Sequence, residues 1–233
     1  MNDDVSATRI AMVLFPNLTQ LDLTGPFEVL AAMPGAAIDL VWHRIEPVSS
    51  NRGFVVTPTA TFEDYGVPDV LFVPGGAGTL EAMEDEPLID FVRRSGAHAR
   101  LVTSVCTGSF ILGAAGLLKG KRATSHWTVV DQLALLGAIA VNERVVQDGN
   151  VITGAGVTSG IDFALTVAAR LHGEEVARRI QLQIEYDPAP PFDGGSVATA
   201  DPMLVQRLRA RNVELTERRG AVAERLGRRI LAS

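Results

Sequence analysis

The single cysteine of the chain, Cys106, stands where a strand pattern changes directly into a helix pattern. The β-branched run 101–105 predicts a short buried strand, and the apolar segment 109–118 predicts a helix. A small nucleophile at such a turn is typical of a nucleophile elbow. Because a helix N-terminus favours the thiolate, we expect the pKa of Cys106 to lie below that of a free cysteine. The alternative interpretation is an inert, buried cysteine.

Three other groups have residue types and positions that suit chemistry at the same place. Asp22 follows the apolar run 9–15, and the pair Gly75–Gly76 follows the apolar run 69–73. Glycines after a strand let the backbone approach a ligand closely and can direct N–H groups at an anion. His126 is a candidate pocket residue. Taken alone, Asp22 is more typical of a helix cap. The glycines alone do not exclude an ordinary tight turn, and a structural role for His126 is equally consistent with its position.

Whether these residues meet depends on the elements that carry them. Apolar or β-branched runs predict strands at 9–15, 38–45, 69–73, 101–105, 138–146 and 150–153. Amphipathic or apolar segments predict helices at 27–33, 86–98, 109–118, 129–136, 158–172 and 173–186. This alternation predicts an α/β fold with a parallel sheet covered on both faces. Ligands bind beyond the carboxyl ends of such strands, so Asp22, the glycine pair and Cys106 are expected to converge there.

Two local patterns add further expectations. Pro26 suits the first turn of the helix 27–33, which leaves Asp22 just upstream of that helix. The segment 53–62 predicts a short hairpin around Pro58.

The C-terminal part of the chain predicts a linker and one last helix. The linker is rich in proline and glycine and spans 187–196, and Asp201-Pro202 suits the start of the helix. An apolar stripe runs along that helix at Leu204, Leu208, Leu215, Val222, Leu226 and Ile230. Its arginines are interleaved with glutamates, so we expect them to form a solvated face: Arg207, Arg209, Arg211, Arg218, Arg219, Arg225, Arg228 and Arg229.

Composition narrows the classes of protein that remain. The chain has 233 residues, of which 47% are hydrophobic, enough for a full core. A formal net charge of −6 argues against a general nucleic-acid surface. The one cysteine favours a reducing, cytoplasmic setting, and the acidic segment 1–6 is unlike a signal peptide. The four histidines lack metal-ligand spacing, and no apolar stretch is long enough for a membrane span.

Several motifs together resemble the DJ-1/PfpI superfamily. They are Gln-Leu-Asp-Leu-Thr-Gly-Pro at 20–26, Pro-Gly-Gly at 74–76, Thr-Ser-Val-Cys-Thr-Gly-Ser at 103–109, Gly-Lys-Arg-Ala-Thr-Ser-His-Trp at 120–127, Gly-Ile-Asp-Phe-Ala-Leu-Thr at 160–166 and Gln-Leu-Gln-Ile-Glu-Tyr-Asp-Pro-Ala-Pro-Pro-Phe at 181–192. The resemblance covers nearly the whole chain and implies a flavodoxin-like three-layer sandwich and a homodimer. It is strongest to the members that hydrate isocyanides, which implies a small-molecule isocyanide substrate and no metal or organic cofactor.

The resemblance also implies roles for individual residues. Cys106 would be the nucleophile, and Asp22 would act as acid and then base while a thioimidate forms and is hydrated to an N-substituted formamide. The backbone N–H groups of Gly76 and Thr107 would form an anion-stabilising pocket, with Gly75 and His126 as further pocket residues. The chain departs from the protease-like members, which carry histidine where Thr107 stands, and from the many members that carry glutamate where Asp22 stands. The first departure disfavours peptidase activity.

Three other functions remain open at this point. One is the sensor-like domain of AraC-type regulators, although about forty residues after the linker are too few for two helix-turn-helix units. Another is a redox or chaperone-like protein, and the third is a glyoxalase- or amidase-type hydrolase of the same fold. In each case we expect an α/β domain over residues 1–190 and a linker with a helical extension over 191–233, packed on the body or on a partner subunit.

Overall fold

The computed structural model describes residues 7–232 of the chain. The acidic segment 1–6, whose charge entered the signal-peptide argument, lies outside the described residues, as does Ser233.

A seven-stranded, mostly parallel sheet forms the centre of the fold. The strands of the chain are β1 (Thr8–Val13), β2 (Ala36–Trp42), β3 (Val48–Ser49), β4 (Val55–Val56), β5 (Ala60–Thr61), β6 (Val70–Val73), β7 (Leu101–Val105), β8 (Arg122–Ala123), β9 (Ile139–Ala140), β10 (Val145–Asp148) and β11 (Val151–Gly154). The order in the central sheet is β10-β11-β7-β6-β1-β2-β5. Every neighbouring pair is parallel except β10 and β11 at one edge.

Helices flank this sheet in two groups. They are α1 (Gln20–Ala31), α2 (Thr79–Ala82), α3 (Glu86–Gly96), α4 (Gly108–Ala114), α5 (Ser159–His172), α6 (Glu174–Gln183), α7 (Pro202–Arg211) and α8 (Val213–Ala232), with a 3₁₀ helix at Val130–Leu136. Helix α5 packs against α1 and α6, whereas α4 packs against α3 and α8. The central strands β6 and β7 are buried along their whole length, which explains their continuous apolar sequences. The predicted α/β fold is therefore confirmed.

The prediction of a hairpin around Pro58 is wrong. Strand β4, before this proline, pairs antiparallel with β3, and strand β5, after it, extends the central sheet in parallel to β2. Proline has no N–H group with which to pair in a sheet. Pro58 therefore separates the β3–β4 pair from the β2–β5 pair and does not form the turn of a hairpin.

Helix α1 begins earlier than its sequence pattern predicts. It starts at Gln20, so Asp22 lies within its first turn and Pro26 lies inside the helix. Pro26 packs closely on α5, where a Cβ added to Gly160 would lie 3.0 Å from the Pro26 Cδ. Proline usually occurs in the first turn of a helix, and here the contact with α5 stabilises Pro26 inside α1.

The prediction of a single last helix is also wrong. Helix α7 ends at Arg211 and α8 begins at Val213, with Asn212 between them. The expectation that all the arginines form a solvated face fails at Arg219, which is only 4% exposed. Helical periodicity puts Arg219 between Leu215 and Val222, on the apolar side of α8. The division of the chain at residue 190 remains a prediction.

None of the helices among residues 7–232 has the length and apolar character to cross a bilayer.

Candidate active site

The carboxyl ends of three neighbouring strands bring the candidate residues together. Cys106 follows β7 directly, and Gly75 lies two residues beyond the end of β6. Asp22 reaches the same edge from the start of α1, which follows β1. The loop after β1 is tied to the glycine loop, because the Thr19 N–H donates to the Gly75 carbonyl at 2.9 Å. The expected convergence is present in the structure.

Cys106 occupies a strained backbone conformation at the turn from β7 to α4. Its φ is 54°, in the left-handed region that residues with a Cβ rarely adopt. Its N–H donates to the Gly154 carbonyl at 3.0 Å, and its carbonyl accepts hydrogen bonds from Ser109 Oγ at 3.1 Å and Ser125 Oγ at 2.9 Å. These bonds hold the elbow in place.

Gly75 lies where Asp22, Cys106 and the Thr107 backbone come closest to one another. A Cβ added there would lie 2.7 Å from Asp22 Oδ2, 2.7 Å from Cys106 Cβ and 2.6 Å from the Thr107 backbone nitrogen. Because real Cβ atoms do not come this close to other atoms, only glycine lets the carboxyl group and the cysteine approach each other here. The Gly75 N–H also donates to Asp22 Oδ2 at 3.1 Å, which orients the carboxyl group.

Asp22 is a fully buried carboxyl group beside the thiol. Its burial raises its pKa from 3.8 to about 7, although hydrogen bonding with Cys106 and with the Gly75 N–H opposes this shift. Its second oxygen, Oδ1, has no hydrogen bond of good geometry among residues 7–232. This oxygen is therefore available to exchange a proton with the thiol or with a bound molecule.

The expectation of an acidic Cys106 thiol is wrong. Burial raises the pKa of Cys106 well above that of a free cysteine, and the neighbouring charge of Asp22 raises it further. The Thr107 N–H and the positive charge of Arg219 act in the opposite direction but are the weaker influences. The helix terminus is outweighed by desolvation, so the resting thiol keeps its proton or shares it with Asp22.

Thr107 and Gly76 interact with each other next to the cysteine. The Gly76 N–H donates to Thr107 Oγ1 at 2.9 Å, and the Thr107 hydroxyl lies 3.1 Å from the Gly76 carbonyl oxygen. The Thr107 N–H is directed at the Cys106 side chain. The role of these two N–H groups in stabilising an anion remains a prediction, and at Gly76 it requires the threonine hydroxyl to move.

A cavity of about 510 Å³ opens onto the cysteine. Its lining includes Gly76, Cys106, Thr107 and His126, so His126 does face the same space as the thiol. The His126 Nδ1 atom is 2.8 Å from Thr128 Oγ1. Burial, and then the charge of Arg219, lower the pKa of His126, so its ring is neutral near pH 7.

Sequence reasoning did not place Arg219 in the wall of this cavity. Helix α8 carries its side chain into the cavity wall, where Nη2 donates to Thr79 Oγ1 at 3.3 Å. The guanidinium also lies 5.7 Å from the centre of the Phe110 ring. Its position on the apolar stripe of α8 was the available signal, because a charged residue at such a position faces inward.

The fold and the site together define a class: a flavodoxin-like α/β protein whose cysteine lies at a strained strand-to-helix turn beside a buried carboxyl group. The sequence profile of the DJ-1/PfpI family matches residues 8–170, and the chain belongs to this family.

Individual relatives agree with that assignment. The chain is 54% identical to the isonitrile hydratase of Pseudomonas putida over 219 residues, which are 94% of this chain and 96% of that protein. The crystal structure of a ThiJ/PfpI family protein from Pseudomonas syringae superimposes with a TM-score of 0.92, at 45% identity, over 94% of this chain and 91% of that one. An HTH-type transcriptional regulator of Pseudomonas aeruginosa, CdhR, is 30% identical over 73% of this chain, but only over 53% of its own length.

Proposed function

We propose that this protein is an enzyme that hydrates an isonitrile to the N-substituted formamide, with Cys106 as nucleophile and Asp22 as acid and base. The observation that carries the proposal is the buried contact of the two side chains, in which the Asp22 carboxyl has a pKa of about 7. A group that must give and take a proton near neutral pH works best with a pKa near that pH. The high identity to the isonitrile hydratase of Pseudomonas putida supports this choice of substrate.

The first half of the proposed reaction forms a thioimidate. The Cys106 thiol passes its proton to Asp22, and the resulting thiolate attacks the terminal carbon of the isonitrile. Asp22 then delivers that proton to the same carbon, so the adduct R–N=CH–S–Cys106 forms while Asp22 returns to the carboxylate. The reaction needs no external oxidant or reductant, since the isonitrile carbon receives one sulfur and one proton.

The second half uses the same carboxylate as a base. Asp22 accepts a proton from water as the oxygen adds to the thioimidate carbon, and it donates a proton to the nitrogen. Collapse of the tetrahedral adduct R–NH–CH(OH)–S–Cys106 expels the thiolate, and the hydroxyl proton returns to the pair of acids formed by Cys106 and Asp22. The product is R–NH–CHO, and the enzyme again holds the one proton with which it began. By reaction type, this enzyme is a carbon–oxygen hydro-lyase.

The other functions are less well supported by the site. Oxidation of a cysteine proceeds from its thiolate, whereas the raised pKa of Cys106 leaves little thiolate in the resting protein. A peptidase must protonate a leaving amine, and no histidine follows the cysteine as it does in the protease-like members. The chain is 30% identical to the regulator CdhR over 53% of that protein, against 54% identity over 96% of the isonitrile hydratase of Pseudomonas putida.

A direct assay tests the proposed function. Purified protein is incubated in parallel with a small panel of isocyanides, with methylglyoxal and with a labelled peptide, and Cys106→Ala serves as the blank. We expect cysteine-dependent formation of the N-formamide and little turnover of the other two substrates. Cysteine-dependent turnover of methylglyoxal or peptide, with every isocyanide untouched, would overturn the assignment. A single cysteine that must stay reduced for turnover fits a cytoplasmic setting, which remains a prediction.

A further inference from the structure

The guanidinium of Arg219 is a buried charge that forms no salt bridge with another residue of the range 7–232. The residue is 4% exposed. Its Nη2 donates to the neutral hydroxyl of Thr79, and its Nε has no hydrogen-bond partner in the described residues. Burying a charge without a partner is costly, and proteins rarely retain such a charge without a use for it.

Cys106 does not supply the missing negative charge in the resting protein. Burial raises the pKa of the thiol well above its usual range, so the thiolate is present only in small amounts or transiently. The other acid that acts on Arg219 is Glu81, whose carboxylate forms its ion pair with Arg218, at 3.9 Å, and not with Arg219. Burial lowers the pKa of Arg219, and the charges of Cys106 and Glu81 offset only part of this shift.

The charges around the cavity have one sign. Its titratable lining groups are Arg52, Cys106, His126 and Arg219, and no aspartate or glutamate lines it. His126 is neutral near pH 7, so two arginines set the charge of the space above the thiol. Arg52 is exposed, whereas Arg219 is buried in the wall. A protein with a net charge of −6 therefore presents a positive binding space to its substrate.

We propose that Arg219 binds an anionic group of the substrate, so that the site prefers isonitriles that carry a carboxylate. This inference rests on the proposed function and narrows its substrate class. An arginine side chain binds a carboxylate through charge-assisted, often bidentate hydrogen bonds. A bound carboxylate would give the guanidinium its counter-ion and would fix the isonitrile carbon relative to Cys106.

Alkylation of Cys106 tests the anion site without relying on isonitrile chemistry. Iodoacetate and iodoacetamide carry the same reactive carbon, but only iodoacetate carries a carboxylate. The ratio of their rates with the protein is divided by the same ratio measured with glutathione. We expect this normalised ratio, iodoacetate over iodoacetamide, to be about ten or higher, because one charge-assisted hydrogen bond provides a gain of that size. Mass spectrometry follows the modification at this single cysteine.

Matched variants assign the effect to one residue. Arg219→Gln should bring the normalised ratio to about one, and Arg219→Lys should keep part of the preference because it keeps the charge. Arg218→Gln is the control, since the neighbouring Arg218 side chain is 60% exposed and lies 3.9 Å from Glu81 on the surface. That variant should behave as the wild type does. If Arg219→Gln lowered the alkylation rates of both reagents equally, Arg219 would stabilise the Cys106 thiolate and not bind an anionic ligand. The proposal would then be wrong.

A second arm uses the enzymatic reaction itself. Wild-type protein is given isocyanoacetate and its methyl ester, and kcat/KM should be higher for the carboxylate and fall selectively in Arg219→Gln. If no isocyanide of the panel is hydrated, these two included, the proposed function fails, and the alkylation ratio still decides the role of Arg219. Should Arg219→Gln fail to fold, as circular dichroism would show, the wild-type ratio alone decides. A wild-type ratio equal to that of glutathione overturns the proposal.

Discussion

The carboxyl group of Asp22, on the first turn of α1, lies beside the thiol of Cys106 at the end of β7, and burial of the pair raises both pKa values. The two acids therefore hold one proton between them above about pH 7 and two below it, and they titrate as a pair and not as separate groups. An isonitrile needs both a nucleophile and a proton at the same carbon. This shared proton is the feature on which most of the following predictions depend.

Replacement of the nucleophile gives the simplest prediction. Cys106→Ala should abolish hydration of isocyanides, because no other cysteine exists in the chain. The fold should persist, since the hydrogen bonds at this turn involve the backbone of residue 106 and not its sulfur. Product formation by chromatography and a thermal melt measure the two properties. Retention of more than a small fraction of wild-type turnover would contradict the covalent mechanism.

Most of the fold was predictable from the sequence because strands that are buried on both faces have unbroken apolar runs. The patterns at β1, β6 and β7 predicted buried strands, and these are the three central strands of the sheet. The beginning of α1 was not predictable, because Pro26 suggests a helix start and only the contact with α5 holds it inside the helix. The prediction of a hairpin at residues 53–62 was wrong because two-residue strands are too short to show a periodicity.

The site was partly predictable for a different reason. Cys106, Asp22 and the glycine pair all follow strand ends, and parallel sheets bring such positions together. The pKa of Cys106 was predicted in the wrong direction, because sequence shows the helix terminus but not the degree of burial. Arg219 was missed because the glutamates interleaved with the arginines indicated a solvated face, although helical periodicity places this one arginine on the apolar side of α8.

Asp22→Asn is expected to lower kcat by about two to four orders of magnitude, the usual contribution of a general acid–base group. An amide keeps the size of the side chain and can still accept the Gly75 N–H, but it cannot exchange a proton with the thiol. Steady-state kinetics with an isocyanide measures the loss. Normal turnover in Asp22→Asn would reassign Asp22 to a structural role.

The same variant should be more stable than the wild type at alkaline pH. The pKa of Asp22 rises from 3.8 to about 7 on folding, so its contribution to stability is full below pH 3.8 and is lost as pH rises through about 7. The loss has an upper limit of about 4 kcal/mol, from 1.36 kcal/mol per pKa unit. Denaturant unfolding at pH 5 and pH 8 should show a smaller fall for Asp22→Asn. Parallel pH profiles for both proteins would argue against a buried, protonated Asp22.

Activity should increase with pH over the range in which stability decreases. The competent form of the pair holds one proton, and below the pKa of about 7 the pair takes up a second one. We therefore expect kcat/KM to rise as pH increases through about 7 and to stay high until the thiol itself titrates. A profile of kcat/KM from pH 5 to pH 9 provides the test. Activity that falls steadily across that interval would be inconsistent with a shared proton.

A homodimer is expected from the resemblance of the chain to the superfamily. Helix α7 has no buried residue, and Met203, Leu204 and Leu208 expose 62%, 43% and 38% of their surface. Apolar side chains gathered on one helix are typical of a surface that another protein covers. Sedimentation at micromolar concentration should therefore give twice the mass of the chain, and Leu204→Glu should weaken the association. A monomer at that concentration would reject the prediction.

Gly75→Ala should damage catalysis more than folding. The added Cβ would meet Asp22 Oδ2, Cys106 Cβ and the Thr107 nitrogen at 2.7, 2.7 and 2.6 Å, so these groups must move apart. A misplacement of about 1 Å at reacting groups costs on the order of 10²-fold in rate, and we expect a loss of at least that size. Gly195→Ala is the matched control, because a Cβ there has no neighbour within 4 Å. The two variants are compared by kcat and by thermal melting. If Gly75→Ala kept wild-type kcat, close contact between Asp22 and Cys106 would not be required for the reaction.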